Sequence, residues 1–437
     1  MSRYTGLVRR CRLLCLALLC LLPGTLPANE EEPFLRALTQ ALEQNPEIVA
    51  AQANLVAAQE RLPQSRAALL PNVALQISPT HSHSRWHNGT LTEHSLVAGV
   101  HLSQVLYNRA ALIAFAQSEP YIGAFADDWD GAVQGIFFKV AKTTVDLLQA
   151  REIARLAANN RQVMHQHLLA TQSRHHVGEI TRTSVSQAEA RLAAAQAEQF
   201  RADNAVAVAQ ANFYEVVGAE APDGLVLPTF RHPPDGESPL EHWVRHLEQR
   251  PDMRASSKRL AVAEAAIAQE QAGHWPTVAL TSSANHTWQR GVTEEVDKYS
   301  VGMKVELPLF AGGMTLSKSA EAQARRDAQW AQRDRLRRQA YREIEKARLD
   351  LRSSQALADS FNSMVTAAQM ARDGVEREFR VGSRTALDLL DAEHELFANQ
   401  TELAKNRYGL ALARFQMLWS AGRLTLEELV FRQGSTP

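Results

Sequence analysis

The order of short motifs in the second half of this chain copies the order in the first half, and that repeat limits the fold more than any other feature. Leu42-Glu43-Gln44-Asn45-Pro46 returns as Leu247-Glu248-Gln249-Arg250-Pro251. At the same offset Pro71-Asn72-Val73-Ala74-Leu75 returns as Pro276-Thr277-Val278-Ala279-Leu280. Further on, Val177-Gly178 with Thr181 returns as Val381-Gly382 with Thr385, Ala188-Glu189 as Ala392-Glu393, and Gly218 as Gly422. Self-similarity of this kind marks repetition of one supersecondary unit. The two copies span 29–220 and 240–422, joined by a Pro-rich linker over 221–239 and followed by a tail over 423–437.

Each copy reads as a helix, two strands, a long helix, a Val-Gly turn and a second long helix. The first helix covers about Pro33 to Ala68 in one copy and about Leu240 to Gly273 in the other, and each stops before a proline. Strands are expected at about 72–79 and 95–106, and at about 277–288 and 297–309. In the last of these Tyr299, Val301, Met303, Val305, Leu307 and Leu309 alternate with Ser300, Gly302, Lys304 and Glu306. Its counterpart sets Leu96, Ala98, Val100 and Leu102 against Ser95, Gly99, His101 and Ser103. Period two gives a strand with one apolar and one polar face. A pair of soluble hairpins would alternate in the same way. Segments of about ten residues also match a tilted strand crossing a bilayer. The smallest membrane barrels close with about eight strands, however, so a sheet of this kind in a membrane requires several chains. Three chains would supply twelve strands.

The helices are long. From about Leu316 to Phe379 the chain has no proline, enough for roughly 90 Å of helix. In the other copy Pro120 predicts a kink or break. The last helix carries a heptad-like stripe through Leu387, Leu390, His394, Phe397, Thr401, Ala404, Tyr408, Ala411, Phe415 and Leu418. A second column, Leu389, Leu396, Leu403, Leu410 and Met417, repeats every seven residues. Two seams fit a helix packed on both sides, as in a wall of helices. The matching helix of the first copy has a smaller seam: Ala190, Ala193, Ala197, Ala207 and Ala211.

The N-terminus reads as a secretory signal peptide over 1–28. Arg3, Arg9, Arg10 and Arg12 precede the apolar run Leu13 to Leu22, and Pro23 to Ala28 leads to cleavage after Ala28. All three cysteines, Cys11, Cys15 and Cys20, fall in this segment, so the mature chain is expected to lack disulfides and thiolate chemistry. The leucines before Cys15 and Cys20 do not suit lipidation. No later run of about 20 apolar residues offers a spanning helix, which leaves a barrel or a surface for membrane contact. A net charge of −1 offers no global attraction for nucleic acid. No phosphate-cradling glycine loop, catalytic triad spacing or metal-protease motif stands out, so neither an enzyme nor a cofactor is expected.

Together these features resemble the TolC family of outer-membrane factors over nearly the whole chain after the leader. The most specific stretch is Val381-Gly382-Ser383-Arg384-Thr385-Ala386-Leu387-Asp388-Leu389-Leu390-Asp391-Ala392, which is similar to that family's second helix-turn tip. Asn45-Pro46, Leu70-Pro71 and Pro308-Leu309-Phe310 fit as well. The resemblance implies a mainly α-helical protein with a membrane β-barrel part. Four strands per protomer would complete a twelve-stranded barrel in a homotrimer, continued by a long α-helical coiled-coil barrel in the periplasm. It implies an outer-membrane exit duct for type I secretion or multidrug efflux, the branch without a lipid anchor. The partners implied are outer-membrane lipid, a periplasmic adaptor, and an inner-membrane ABC or other efflux transporter. A periplasmic coiled-coil adaptor or scaffold is the alternative. It would be expected to carry one helical hairpin, whereas this chain has two.

The same resemblance assigns the tip residues. Val177, Gly178, Thr181, Val381, Gly382 and Thr385 are expected to dock the adaptor. Asp388 and Asp391, spaced i, i+3, lie on one helix face, and threefold symmetry would make them an acidic ring at the closed entrance. A solvated helix face is the plainer account of the pair. Arg384 matches a latch arginine, Phe379 stands where relatives carry tyrosine, and Ser184 stands at the latch's acidic partner position, with Glu179 as a substitute acid. His81, His83, His87 and His94 are expected in an extracellular loop, as a polar tip or a zinc or copper ligand set. His165, His167, His175 and His176 lie near the other tip, where protonation could tune docking.

Overall fold

The computed structural model describes residues 33–87, 89–289 and 296–430, so the expected signal segment over 1–28 and the last seven residues lie outside the described residues. In chain order the elements are α1 (Pro33–Gln44), α2 (Pro46–Gln59), α3 (Arg61–Ala67), β1 (Asn72–Trp86), β2 (Gly89–Tyr107), α4 (Arg109–His176), α5 (Arg182–Val217) and β3 (Thr229–Phe230). The second half continues with α6 (Leu240–Val244), α7 (Pro251–Gln271), β4 (Thr277–Gln289), β5 (Val296–Glu306), α8 (Met314–Arg380), α9 (Ala386–Ser420) and β6 (Leu429–Val430).

The first helix of each copy is several pieces rather than one. Pro46 and Pro251 both open a helix. Proline has no N–H to donate within a helix but suits its first turn. The residue before each proline does the same work in both copies. Asn45 accepts from the Glu47 amide through Oδ1 (2.9 Å) and donates through Nδ2 to the Val216 carbonyl (2.8 Å), near the end of α5. Arg250 donates through Nη1 to the Ser420 carbonyl (2.8 Å), at the end of α9. Each unit is thereby tied from its start to the end of its own hairpin, just before Gly218 and Gly422 turn the chain at φ 79° and 69°. Arg250 also reaches Asp252 (2.8 Å) and Glu343 on α8 (3.1 Å), and only 7% of its surface is exposed.

Around these clamps lies the main core. Phe34, Ile136, Phe213, Ile344, Phe415 and Met417 are fully buried there. Covering one such side chain contributes roughly 1.5–3 kcal/mol. The segments expected as linker and tail belong to this layer: β3 pairs with β6, Phe230 opposite Leu429, and the Phe230 ring lies 4.8 Å from that of Phe415. Gly236 brings the linker backbone against α8, where a Cβ would stand 2.7 Å from the Arg352 nitrogen.

The sheet has the order β1-β2-β4-β5, all antiparallel. Its register aligns the alternation of all four strands. One rung reads Leu75, Val100, Ala284, Tyr299, and the adjacent rung Gln76, Gly99, Asn285, Lys298. One face is therefore mostly apolar and the other polar. The apolar side chains are left uncovered in the protomer: Leu75, Ile77, Tyr299 and Val301 are each at least 60% exposed. Two expected boundaries are corrected. β5 ends at Glu306, short of Leu307 and Leu309. The first hairpin extends well past 79, so His81, His83 and His94 sit on strands instead of in a loop, and His87 alone occupies the turn. Threonines at 80, 90 and 92 suit the extended backbone, and the ladder continues to Trp86 opposite Gly89.

Below the sheet, α4 and α8 run about 100 Å each. With α5 and α9 they form a wall in the order α5–α4–α9–α8. The break expected at Pro120 does not occur, for α4 runs through it. Neighbours hold the helix on both sides: Ser65 on α3 meets the Ser118 hydroxyl (2.8 Å), and Lys258 on α7 donates to the Gly123 carbonyl (3.1 Å). On α9 both seams contribute buried residues, Leu390, Phe415 and Leu418 from one and Leu389, Leu396 and Met417 from the other. On α5 the buried stripe is Ala188, Ala195, Ala202 and Ala209. The alanine seam picked from sequence, Ala190 to Ala211, is exposed. Among the described residues no helix is long and apolar enough to cross a membrane.

Arg250→Ala removes one clamp, leaves a carbonyl without its donor and separates two carboxylates from their cation. The expected loss is about 3 kcal/mol, read as a lower Tm of the detergent-solubilised protein. Arg250→Lys should recover part of it.

Candidate functional site

The candidate site is the far end of the helical wall, where the α4–α5 and α8–α9 turns lie. Both turns are built alike. At the first, the Gly178 amide donates to the His175 carbonyl (3.0 Å) and the Glu179 amide to the Arg174 carbonyl (2.9 Å). At the second, Gly382 donates to Phe379 (3.1 Å) and Ser383 to Glu378 (2.9 Å). This paired closure of the last helical carbonyls needs a left-handed residue, and Gly178 and Gly382 supply it at φ 80° and 83°. Three residues on, Thr181 and Thr385 start the return helices. The Thr181 hydroxyl accepts from the Ser184 amide (3.4 Å), and that of Thr385 accepts from the Asp388 amide (3.2 Å). The repeated Val-Gly-x-x-Thr motif is thus a helix stop followed by a helix start, in the shortest space that holds both. Val177 and Val381 are left 69% and 80% exposed at these tips.

The two acidic residues are engaged differently. Asp388 closes a capping box: its carboxylate accepts from the Thr385 amide (2.9 Å) and hydroxyl (2.8 Å). Those two hydrogen bonds, backbone first, hold the Asp388 carboxyl below the usual aspartate range. Asp391 forms an ion pair with Arg191 on α5, across the gap between the two hairpins. Neither carboxylate stands free within the protomer.

The residues matched to a latch are not brought together. Arg384 Nε donates to Glu378 Oε2 (2.8 Å) in its own turn, and Ser184 stays with the Thr181 cap. Glu179, the substitute acid, lies 4.0 Å from Arg174 Nε. Phe379 does meet the other hairpin, since the Arg174 guanidinium lies over its ring at 4.4 Å. A cation over an aromatic face is attracted by the ring quadrupole.

Further contacts join the hairpins a little above the tips. Leu390 of α9 is buried with Met164 of α4 and Ala188 and Ala195 of α5. Glu393, the repeated counterpart of Glu189, sits between His167 Nε2 (3.5 Å) and Arg372 Nε (3.7 Å), with 12% of its side chain exposed. His165, His175 and His176 do not join this group, and His175 Nδ1 lies 2.9 Å from the Ile180 carbonyl oxygen. Sequence reasoning missed Arg174, Arg191, Arg372 and Glu393 as partners. The Ala-Glu repeat pointed at Glu393, but nothing in the spacing pairs Arg191 with a residue in the other copy. Among the described residues no group of three or more His, Cys, Asp or Glu side chains could hold a metal ion.

Two expectations follow for the tips. Gly178→Ala and Gly382→Ala each meet open space but force a Cβ into the left-handed region, a cost of about 1 kcal/mol. Hydrogen exchange confined to the affected turn should rise. Because the Asp388 pKa is lowered, its capping contribution is present above the ordinary aspartate value and is lost as pH falls through the lowered folded value. Asp388→Ala should therefore free the Thr385 amide to exchange at neutral pH.

Comparison with known proteins agrees with this architecture. Residues 37–219 and 244–423, one stretch per repeat, match the family described as "Outer membrane efflux protein". The outer membrane efflux protein BepC of Brucella suis is 27% identical over 98% of this chain and 93% of its own length. The outer membrane protein TolC of Vibrio cholerae is 24% identical over 91% and 92%. Among solved structures, the Campylobacter jejuni CmeC outer membrane channel superposes with a TM-score of 0.79 at 16% identity, over 90% of this chain and 86% of that one. With the family matched across both repeats, the chain belongs to the outer membrane efflux protein family.

Proposed function

We propose that this protein is the trimeric outer-membrane exit duct of an export system. It conducts substrates passively from an inner-membrane transporter and its periplasmic adaptor to the exterior, in type I secretion, multidrug efflux or both. One observation carries the reading: the protomer is an open wall at both ends. The sheet leaves β1 and β5 as edges, and the helical layer leaves α5 and α8. The joint between the two repeats, β2 with β4 and α4 with α9, shows how one unit accepts the next. The same joint between chains would set β5 on a neighbour's β1 and α8 on its α5, where the exposed Ala190 to Ala211 seam allows close approach. A head-to-tail contact that closes makes a ring, and three copies of the four-stranded sheet give twelve strands. The uncovered apolar face suits lipid and the polar face suits an aqueous lumen. Trp288, near the outer end of β4 on the apolar face, stands where an interfacial aromatic is expected.

At the tips, closure within a protomer rests on Arg191–Asp391, Arg174 over Phe379 and the Glu393 cluster. In this reading Asp388 stabilises the turn, Asp391 ties the hairpins, and Val177 and Val381 face the adaptor.

Membrane fractionation tests the duct. The expected result is a heat-modifiable trimer released only by detergent, and a freely soluble periplasmic monomer would instead support the adaptor or scaffold. For the gate, Arg191→Ala removes a partly exposed pair worth about 1 kcal/mol or less. Single-channel recordings should show at most a roughly fivefold rise in open-state occupancy. Unchanged conductance in both Arg191→Ala and Asp391→Ala would remove the pair from the gate.

A further inference from the structure

The outer end of the β1–β2 hairpin holds imidazoles that conduction does not require. His81 and His94 are direct register partners. Their Nδ1 atoms stand 3.1 Å apart and their ring centroids 4.3 Å apart. Both residues are exposed. They lie on the sheet face that carries Leu75 and Val100, since strand side chains alternate. They also lie outward of the pair Leu96–Trp288, which ends the apolar belt.

We propose that His81 and His94 form a two-imidazole site for a borderline divalent cation, namely zinc, copper(II) or nickel, at the external rim of the duct. Imidazole nitrogens bind such ions at about 2.0–2.1 Å. Two nitrogens 3.1 Å apart then subtend roughly 100° at the ion, between the octahedral and tetrahedral angles. The register sets this bite: a cross-strand pair holds both rings on one face with their Nδ1 atoms converging, before any ion arrives. In the metal-free pair one Nδ1 carries a proton and the other accepts it. Binding moves that proton to Nε2 of the same ring, so two neutral imidazoles present two lone pairs and no net proton is released. Water completes the coordination. His83, two residues along the same face, is the next donor, and its Nδ1 is taken up by the Thr92 hydroxyl (2.8 Å). The nearby charges are Arg85 on β1 and Glu93 on β2. Glu93 lies opposite Ser82 on the other face and bonds to its hydroxyl, so among the described residues of these two strands no carboxylate competes for the ion or recruits a hard cation such as calcium. The chelate would fasten β1 to β2 where the ladder leaves the membrane.

The test is calorimetric titration of the detergent-solubilised full-length protein with zinc chloride at neutral pH. The expected result is saturable binding of one ion per chain. His81→Ala and His94→Ala should each weaken it roughly tenfold or more, and the double variant should abolish it. His101→Ala, on the polar face of the same strand, and His175→Ala, at the opposite end of the molecule, should bind as the parent does. Parent-like binding by the double variant, or no saturable binding by the parent, overturns the proposal. Neither result bears on the duct, which is judged by fractionation and conductance.

Discussion

A strand edge cannot be left open in hydrocarbon. With no water to satisfy it, each unpaired backbone N–H or C=O costs several kcal/mol. The four-stranded sheet presents two such edges beside an apolar face that has no cover in the protomer. Closure by further copies of the chain resolves the edges and the apolar face together. The helical wall has the same topology and the same deficit, with α5 and α8 unpartnered on one side each. Barrel and tunnel therefore share one closure, because the same two units supply both layers in the same order.

The repeat is more than a record of duplication. Asn45 and Arg250 occupy equivalent places, precede equivalent prolines and donate to equivalent carbonyls at the ends of α5 and α9. The second copy has the longer side chain and uses it to hold Asp252 and Glu343 as well. This is the level at which β3, β6 and the aromatic core gather. Long helices that must stay rigid toward the membrane are fixed here. Their far ends carry only short apolar clusters and partly exposed ion pairs, which contribute little individually and separate at small cost. A wall firm at one end and loosely joined at the other suits a duct whose entrance has to open.

Much of this was legible from residue order. Period two in Tyr299 to Leu309, the seven-residue columns of the last helix and the repeated motifs named the elements and their sequence. The errors were of a consistent kind. His81, His83 and His94 read as loop because they are polar, yet a strand leaving the membrane is polar on both faces and stays paired as long as its partner does. Pro120 suggests a kink or a break, and the break is absent because neighbours on two sides hold the helix through it. Small residues fill both faces of α5, and only packing shows that Ala188, Ala195, Ala202 and Ala209 are covered within the protomer while the seam from Ala190 to Ala211 is left open.

The sequence by itself determined the two repeats, the alternating strands, the long helices and the stop-and-start turns at Gly178–Thr181 and Gly382–Thr385. All of these are local: a period, a left-handed position and a capping residue can be read within a few positions of one another. Only the tertiary structure decided which side chains meet. Asp391 pairs with Arg191, Phe379 with Arg174, Glu393 with His167 and Arg372, and His81 with His94. Asp391–Arg191, Phe379–Arg174 and Glu393–His167 cross the boundary between helical hairpins, Glu393–Arg372 joins α9 to α8 within one hairpin, and His81–His94 crosses a strand register. Their partners are set by how whole elements pack, which no spacing along one chain encodes.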